Sequence, residues 1–289
     1  MVMKGIGRTV SAMLLIVTLL FIASGCSTPL QWPESPLYPA PDSDPESGQP
    51  ETLEEAMEAI AGHYAHFDVV AYEDTSTATP MKNFVVSYGF TDFYIEEGRL
   101  YQKDTFVHAE HIINQPFVSS AISDEAVQAI KPRIQEVELS FTDGRWHIYR
   151  PPTPSLLGIT GDASLPLATD PDDPNFVDAD GDGKPGVTVQ ITMFGLFSGE
   201  LYITRREIFT NYLSLYDNGI LQGHVVDDSE QFVIGASLDI LAQPSNALQH
   251  PDFGLNPIIL IPIDPEIDTP EELLALKHKL FPPSPKFVQ

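Results

Sequence analysis

Runs of β-prone residues return along this chain at intervals short enough to favour antiparallel pairing between neighbours. They read as Tyr64–Tyr72, Phe84–Tyr88, Phe90–Ile95, Leu100–Val107, Val137–Phe141 and Arg145–Tyr149, then Val187–Phe194, Glu200–Thr204, Ile208–Leu215, Ile220–Val226, Gln231–Ile240 and Ile258–Ile263. Turn signals separate them: Glu97-Gly98, Asp143-Gly144 and Asp217-Asn218-Gly219. An Asp-Gly pair between alternating runs is a strong hairpin signal, because both turn residues must take positive φ. Three short helices complete the pattern. Thr52-Leu53-Glu54-Glu55 fits a capping box opening a helix over 52–62. Ser123-Asp124-Glu125 opens a second that stops before Pro132. Thr269-Pro270-Glu271-Glu272 opens a third, running to Leu280. Regular βαβ alternation is absent. The expected fold is mainly β, an antiparallel barrel or sandwich with short helices, in one body or in two β-rich halves.

Nothing covalent staples such a fold. The only cysteine is Cys26, and one thiol makes no internal bridge. Its position carries information instead. Lys4 and Arg8 form a positive start, Thr9 to Ala23 is mostly apolar, and small residues follow up to the cysteine. An apolar run of about 15 residues suits an export signal and is short for a spanning helix. Ile22-Ala23-Ser24-Gly25-Cys26 resembles the lipobox of bacterial lipoproteins, with Ala23 where Leu is usual. The resemblance implies that residues 1–25 are a removed signal peptide. It also implies that Cys26 carries acyl chains such as palmitate as the first mature residue. Ser27 after the cysteine implies the outer membrane or cell surface over the inner membrane, so the expected location is the cell envelope, lipid-anchored.

Residues 26–51 are rich in Pro, Ser and acids and read as a tether, since Pro fixes φ and removes donors. At about 3.1 Å per residue in polyproline II, it would hold the domain tens of ångströms off the membrane. The remaining expected divisions are 52–165 and 187–289 as β-rich halves, joined by an Asp-rich loop at 166–186.

Within that loop Asp178, Asp180 and Asp182 alternate, with Gly181 and Gly183 between and after them. Ca²⁺ takes six to eight oxygens, and glycines let a chain curl carboxylates onto one ion. The pattern resembles the DxDxDG core of EF-hand, dockerin and thrombospondin-type calcium loops. It departs from the EF-hand at Val189, where a bidentate acid belongs, and at Pro185. A strand-like run also follows in place of a helix. Asp170, Asp172 and Asp173 are candidate further ligands, and the expected Ca²⁺ is structural. The stretch Val177–Val189 also resembles a segment of uncharacterised exported Gram-negative proteins, loosely extended by Gly199–Arg205 and Gly219–Gly235. That family implies no chemistry.

Lys and Arg number 15 against 41 Asp and Glu, a net charge of −26. Such a surface repels nucleic-acid phosphates and anionic headgroups, so no nucleic-acid partner is expected. His63 with His66, and His108 with His111, have i,i+3 spacing. On strands that spacing places the rings on opposite faces, which disfavours zinc. Gly181-Asp182-Gly183-Lys184 lacks the Ser/Thr of a phosphate loop. No GxSxG is present. Arg205-Arg206 reads as ion-paired or solvated more readily than as an anion contact. No catalytic residue is assigned and the balance leans against an enzyme. The expected function is a membrane-anchored envelope lipoprotein whose β domain binds an unknown envelope ligand or protein partner. Two alternatives are kept. One is a lipocalin-like carrier of an apolar molecule, for which Gly62-His63-Tyr64 entering a strand after a helix offers a short resemblance. The other is a hydrolase acting on envelope polymers.

Overall fold

The computed structural model describes residues 30–42, 48–75, 80–239, 241–242 and 247–289. Cys26 and the signal segment lie outside the described residues. Helix α1 (Leu53–Ile60) leads into β1 (Gly62–Asp74), β2 (Met81–Glu96) and β3 (Arg99–Ile113). Then follow β4 (Val118–Ile122), α2 (Asp124–Gln128), β5 (Arg133–Glu136), β6 (Glu138–Thr142), β7 (Arg145–Arg150) and β8 (Ser155–Leu157). After the Asp-rich loop come β9 (Val187–Met193), β10 (Phe197–Glu207), β11 (Phe209–Leu215), β12 (Leu221–Asp227) and β13 (Glu230–Ala236). The chain ends with β14 (Ala247–Gln249), β15 (Pro257–Pro262) and α3 (Pro270–Leu280). Both capping boxes form, at Thr52 with Glu55 and at Thr269 with Glu272.

The fold is mainly β and antiparallel, with a nearly closed barrel-like sheet, a second sheet and short helices. The larger sheet runs β5-β3-β2-β1-β15-β12-β11-β7-β6, with β14 added on β1. Its two edges, β5 and β6, are consecutive in the chain and separated only by Val137, whose N–H donates to Leu100 O at 3.0 Å. One bent strand thus pairs with β3 through its first half and with β7 through its second, and this draws the sheet round. Around the barrel the strands keep chain order, and β15 returns to pair with β1 (Tyr64 opposite Pro262, Asp68 opposite Ile258).

The second sheet runs β13-β10-β9-β4, with β8 on β10. It is not a separate half. Only Ile208 separates β10 from β11, and only Asp228-Ser229 separates β12 from β13. These four strands form one long hairpin around Asp217-Asn218-Gly219, its near part in the barrel and its far part in the second sheet. The boundary expected between 52–165 and 187–289 therefore does not follow the sheets, each of which takes strands from both sides.

Alternation fixes what fills the barrel. Tyr64, Phe93, Leu100, Trp146, Ile148, Leu213, Leu221 and Leu260 form one buried cluster, closed by Ala56, Met57 and Ile60 of α1. The helix is a plug: burying its apolar stripe at one end of the barrel removes that end from solvent. Phe67, Val69, Phe84, Val86 and Tyr88 form another cluster on the outer face of β1 and β2, covered by Leu273 and Phe281.

Part of the expected tether covers that outer face as well. Gln31 and Val288 exchange backbone hydrogen bonds at 2.7 and 3.0 Å. Trp32 meets Phe84 edge-on at 5.0 Å, and Tyr38 meets Phe67 at 5.5 Å while donating to Pro283 O at 2.7 Å. Further on, Pro50 O accepts from Trp146 Nε1 at 2.9 Å beside the plug helix. The physical reason is composition within composition. Trp32, Leu37 and Tyr38 give the segment an apolar side, and prolines leave few donors to satisfy against an apolar surface.

Candidate functional site

The Asp-rich loop is laid down between β8 and β9 by two glycines. A Cβ on Gly158 would lie 2.8 Å from Gly186 Cα, and one on Gly186 would lie 2.4 Å from Ile203 O. Both residues also have positive φ. Backbone therefore packs on backbone, and the loop is held against β10. A parallel bridge from Asp178 to Gly186 and the pair Ile159–Phe176 close its base.

From that base Asp178, Asp180 and Asp182 converge, with one oxygen from each lying within 4.8 Å of the others. Asp178 accepts from Gly181 N and Gly183 N, both at 2.8 Å, so positive φ at these glycines wraps the backbone around one carboxylate. Asp180 Oδ2 accepts from Thr188 N at 2.8 Å, while its Oδ1 is buried without a hydrogen-bond partner. Asp182 accepts from Thr188 Oγ1 at 2.6 Å and from Lys184 N at 2.9 Å. Burial, then the charges of Asp182 and Asp178, push the Asp180 carboxyl up despite the Thr188 hydrogen bond. The Thr188 hydroxyl and the Lys184 contacts hold Asp182 down. Lys184 bridges the loop to β10, 3.3 Å from Asp182 and 2.7 Å from Glu200. Such a site has the oxygen chemistry of a hard divalent cation and an in-built ammonium that competes with one.

Asp170, Asp172 and Asp173 do not join this group. Asp170 Oδ1 accepts from Asp172 N at 3.0 Å, and Asp173 Oδ1 from Asn175 N at 2.8 Å, so these acids close turns of their own. The histidines also separate. His63 pairs with Asp92 at 2.6 Å, His108 with Asp124 at 2.6 Å, and His111 with Ser120 at 2.8 Å. Arg205 pairs with Glu207 at 2.8 Å and Arg206 with Glu230 at 3.1 Å, so both arginines are internally matched.

A second cluster, missed by the sequence reading, lies inside the barrel above the apolar plug. Asp104 Oδ1 accepts from Thr91 Oγ1 and Gln102 Nε2, each at 2.8 Å. Its Oδ2 is 3.2 Å from Nε of Arg150, the largest fully buried side chain among the described residues. His66 lies 2.8 Å from both Asp68 and Thr91. Arg133 sits between the rings of Phe106 and Phe209, at 5.2 and 4.9 Å from their centroids. Burial alone would raise the Asp104 carboxyl; the charges of Arg150, His66 and Arg133 and the Gln102 amide outweigh it and lower it. The signal was parity. His66 and Asp68 share the inward face with Tyr64, Gln102 and Asp104 with Leu100, and Arg150 with Trp146 and Ile148.

Comparison with protein-family models, with curated proteins and with solved structures gave no match.

Proposed function

We propose that this chain is a membrane-anchored envelope lipoprotein with a non-catalytic β domain that presents a binding surface on its outside, and that Ca²⁺ holds its Asp-rich loop. One observation carries the outside-binding reading: the barrel interior is occupied, by the α1 plug with its apolar layer and by the charged layer around Asp104 and Arg150. A carrier of an apolar molecule needs an enclosed, largely apolar space. A lumen crossed by buried charges favours recognition on the exterior instead. No helix among the described residues is long and apolar enough to cross a membrane. In this reading the hold on the membrane falls to the acyl chains on Cys26. Docking of the segment from Leu30 onward shortens the reach: the stretch from Cys26 to Gln31 spans at most about 18 Å.

Two measurements test this. Mass spectrometry of protein from the native envelope should find an acylated peptide beginning at Cys26; an unmodified N-terminus further along the chain would refute the anchor. For the ion, melting should be followed with Ca²⁺ and with EDTA. At ten times Kd the expected gain is about 1.4 kcal/mol. That gain should vanish in Asp180→Ala, and a wild-type melting temperature indifferent to Ca²⁺ would end the metal reading.

A further inference from the structure

The far tip of the second sheet differs from the positive-φ hairpin turns of the barrel among the described residues. Two barrel hairpins turn on Glu97-Gly98 and Asp143-Gly144, with both residues of each pair at positive φ. The β9–β10 turn takes the same positive-φ course but places Phe194 (φ 55°) before Gly195 (φ 63°). It is closed by Leu196 N donating to Met193 O at 3.1 Å. A bulky aromatic at positive φ is a genuine outlier, where Asn, Asp or Gly would serve. The strain sets Phe194, Leu196 and Phe197 at the tip with 44, 81 and 59% of their surface exposed. Phe117, 56% exposed, stacks on Phe194 at 5.3 Å, and its carbonyl accepts from Phe194 N at 2.6 Å. Four large apolar side chains thus share one protrusion.

Charge is withdrawn from the same place. No Asp, Glu, Lys or Arg occurs from Ile112 to Ser123 or from Pro185 to Gly199, in a chain of net charge −26. An uncharged apolar tip on so acidic a body matches an uncharged surface. The tip also lies at the end where the described chain begins. Gln31 Oε1 accepts from Lys82 Nζ at 3.2 Å, and Lys82 and Asn114 are joined by two hydrogen bonds of 3.0 Å. Asn114 is three residues from Phe117, at most about 10 Å of chain. The described chain therefore begins on the tip's side.

We propose that the turn formed by Phe117, Phe194, Leu196 and Phe197 seats in the interfacial region of an uncharged lipid bilayer, the same membrane that holds the acyl chains of Cys26. Leu and Phe at a hairpin tip lose apolar exposure there without needing a matching pocket. The choice of a bilayer over a protein rests on the anchor reading, and the test separates the two.

The test uses the protein as processed in its native envelope and transferred to phosphatidylcholine vesicles, with an environment-sensitive fluorophore on Leu196→Cys. Phe197→Cys serves as a second position and Asp143→Cys as a control on a barrel turn. Label at 196 or 197 should shift to shorter wavelength and be quenched by brominated acyl chains, while label at 143 does neither. An unshifted label at both tip positions overturns the proposal. A shift that occurs without vesicles and grows with protein concentration also overturns it, in favour of a second copy of the chain. The mass of the N-terminal peptide is read on the same sample. An unacylated Cys26 with a vesicle-dependent shift at 196 refutes the anchor and leaves the tip's seating supported.

Discussion

The Asp143-Gly144 turn on the barrel and the Phe194-Gly195 turn on the second sheet use the same backbone solution with opposite surface chemistry. On the barrel the left-handed residue is an acid, tolerant of positive φ and at home in water. On the second sheet it is a phenylalanine that tolerates neither. The barrel also buries charged groups, with Asp104 3.2 Å from Arg150 and Arg133 held between two aromatic rings, and stops one end with a helix, while the second sheet gathers large exposed apolar side chains at one turn. The difference separates a scaffold whose local preferences agree with its fold from an end where they conflict, and such conflict concentrates at working sites.

The largest effect should come from the barrel side. Asp104→Ala leaves the fully buried Arg150 without its carboxylate and should cost about 3–5 kcal/mol in urea unfolding. The double change Asp104→Leu with Arg150→Met should recover part of that loss, because it removes both charges of the pair while Thr91, Gln102 and Arg133 remain without Asp104. A double variant as unstable as the single would show that the polar layer contributes more than pairing. The same layer sets a pH trend. Asp104 is held below its usual range, so its contribution is complete above that range and is lost as pH falls through the lowered value.

Where the barrel meets the second sheet, His111 gives a trend at milder pH. Burial, then the charge of Arg205, pushes its ring down to about 4 from 6.5. The unfolded chain therefore binds a proton in that window while the folded one does not. Stability should fall by up to about 3 kcal/mol as pH drops from 6.5 to 4. Denaturation of wild type and His111→Gln at pH 7 and pH 4.5 should show the dependence shrinking in the variant; equal slopes would remove His111 as its source.

Smaller effects address the turns themselves. Phe194→Asn should stabilise the isolated protein by up to about 1 kcal/mol, since Asn accepts positive φ. Asp143→Phe should cost a similar amount. If Phe194→Asn were destabilising, the stacking on Phe117 would outweigh the strain, and the two turns would differ less than their sequences suggest.

Much of the fold was legible because local chemistry and tertiary structure agree. The Thr52 and Thr269 boxes, the Asp143-Gly144 hairpin and the alternating runs each form as their residue types require. Gly89 was misleading: it broke the expected run into two, yet β2 passes through it. A Cβ there would lie 2.2 Å from Thr105 O, so glycine permits close strand approach at a bulge and does not end the strand. Strands β4, β5, β8 and β14 went unseen because three to five residues carry too little periodicity. At the Asp-rich loop the convergence of Asp178, Asp180 and Asp182 was visible from spacing and glycines. The turns that occupy the carboxylates of Asp170 and Asp173 were not, because i to i+2 bonding leaves no periodic trace. The apolar tip read as the end of an ordinary strand, since only the observed φ of Phe194 and its neighbour Phe117 show that it is a protrusion.

The contrast between the two ends is tested most directly by hydrogen–deuterium exchange of the full-length protein with and without phosphatidylcholine vesicles. Vesicles should slow exchange at residues 192–199 and 115–119 and leave residues 96–99 and 142–145 unchanged. Equal exchange at 192–199 in both samples, or slowing confined to the barrel turns, would contradict a working second-sheet tip on a supporting barrel.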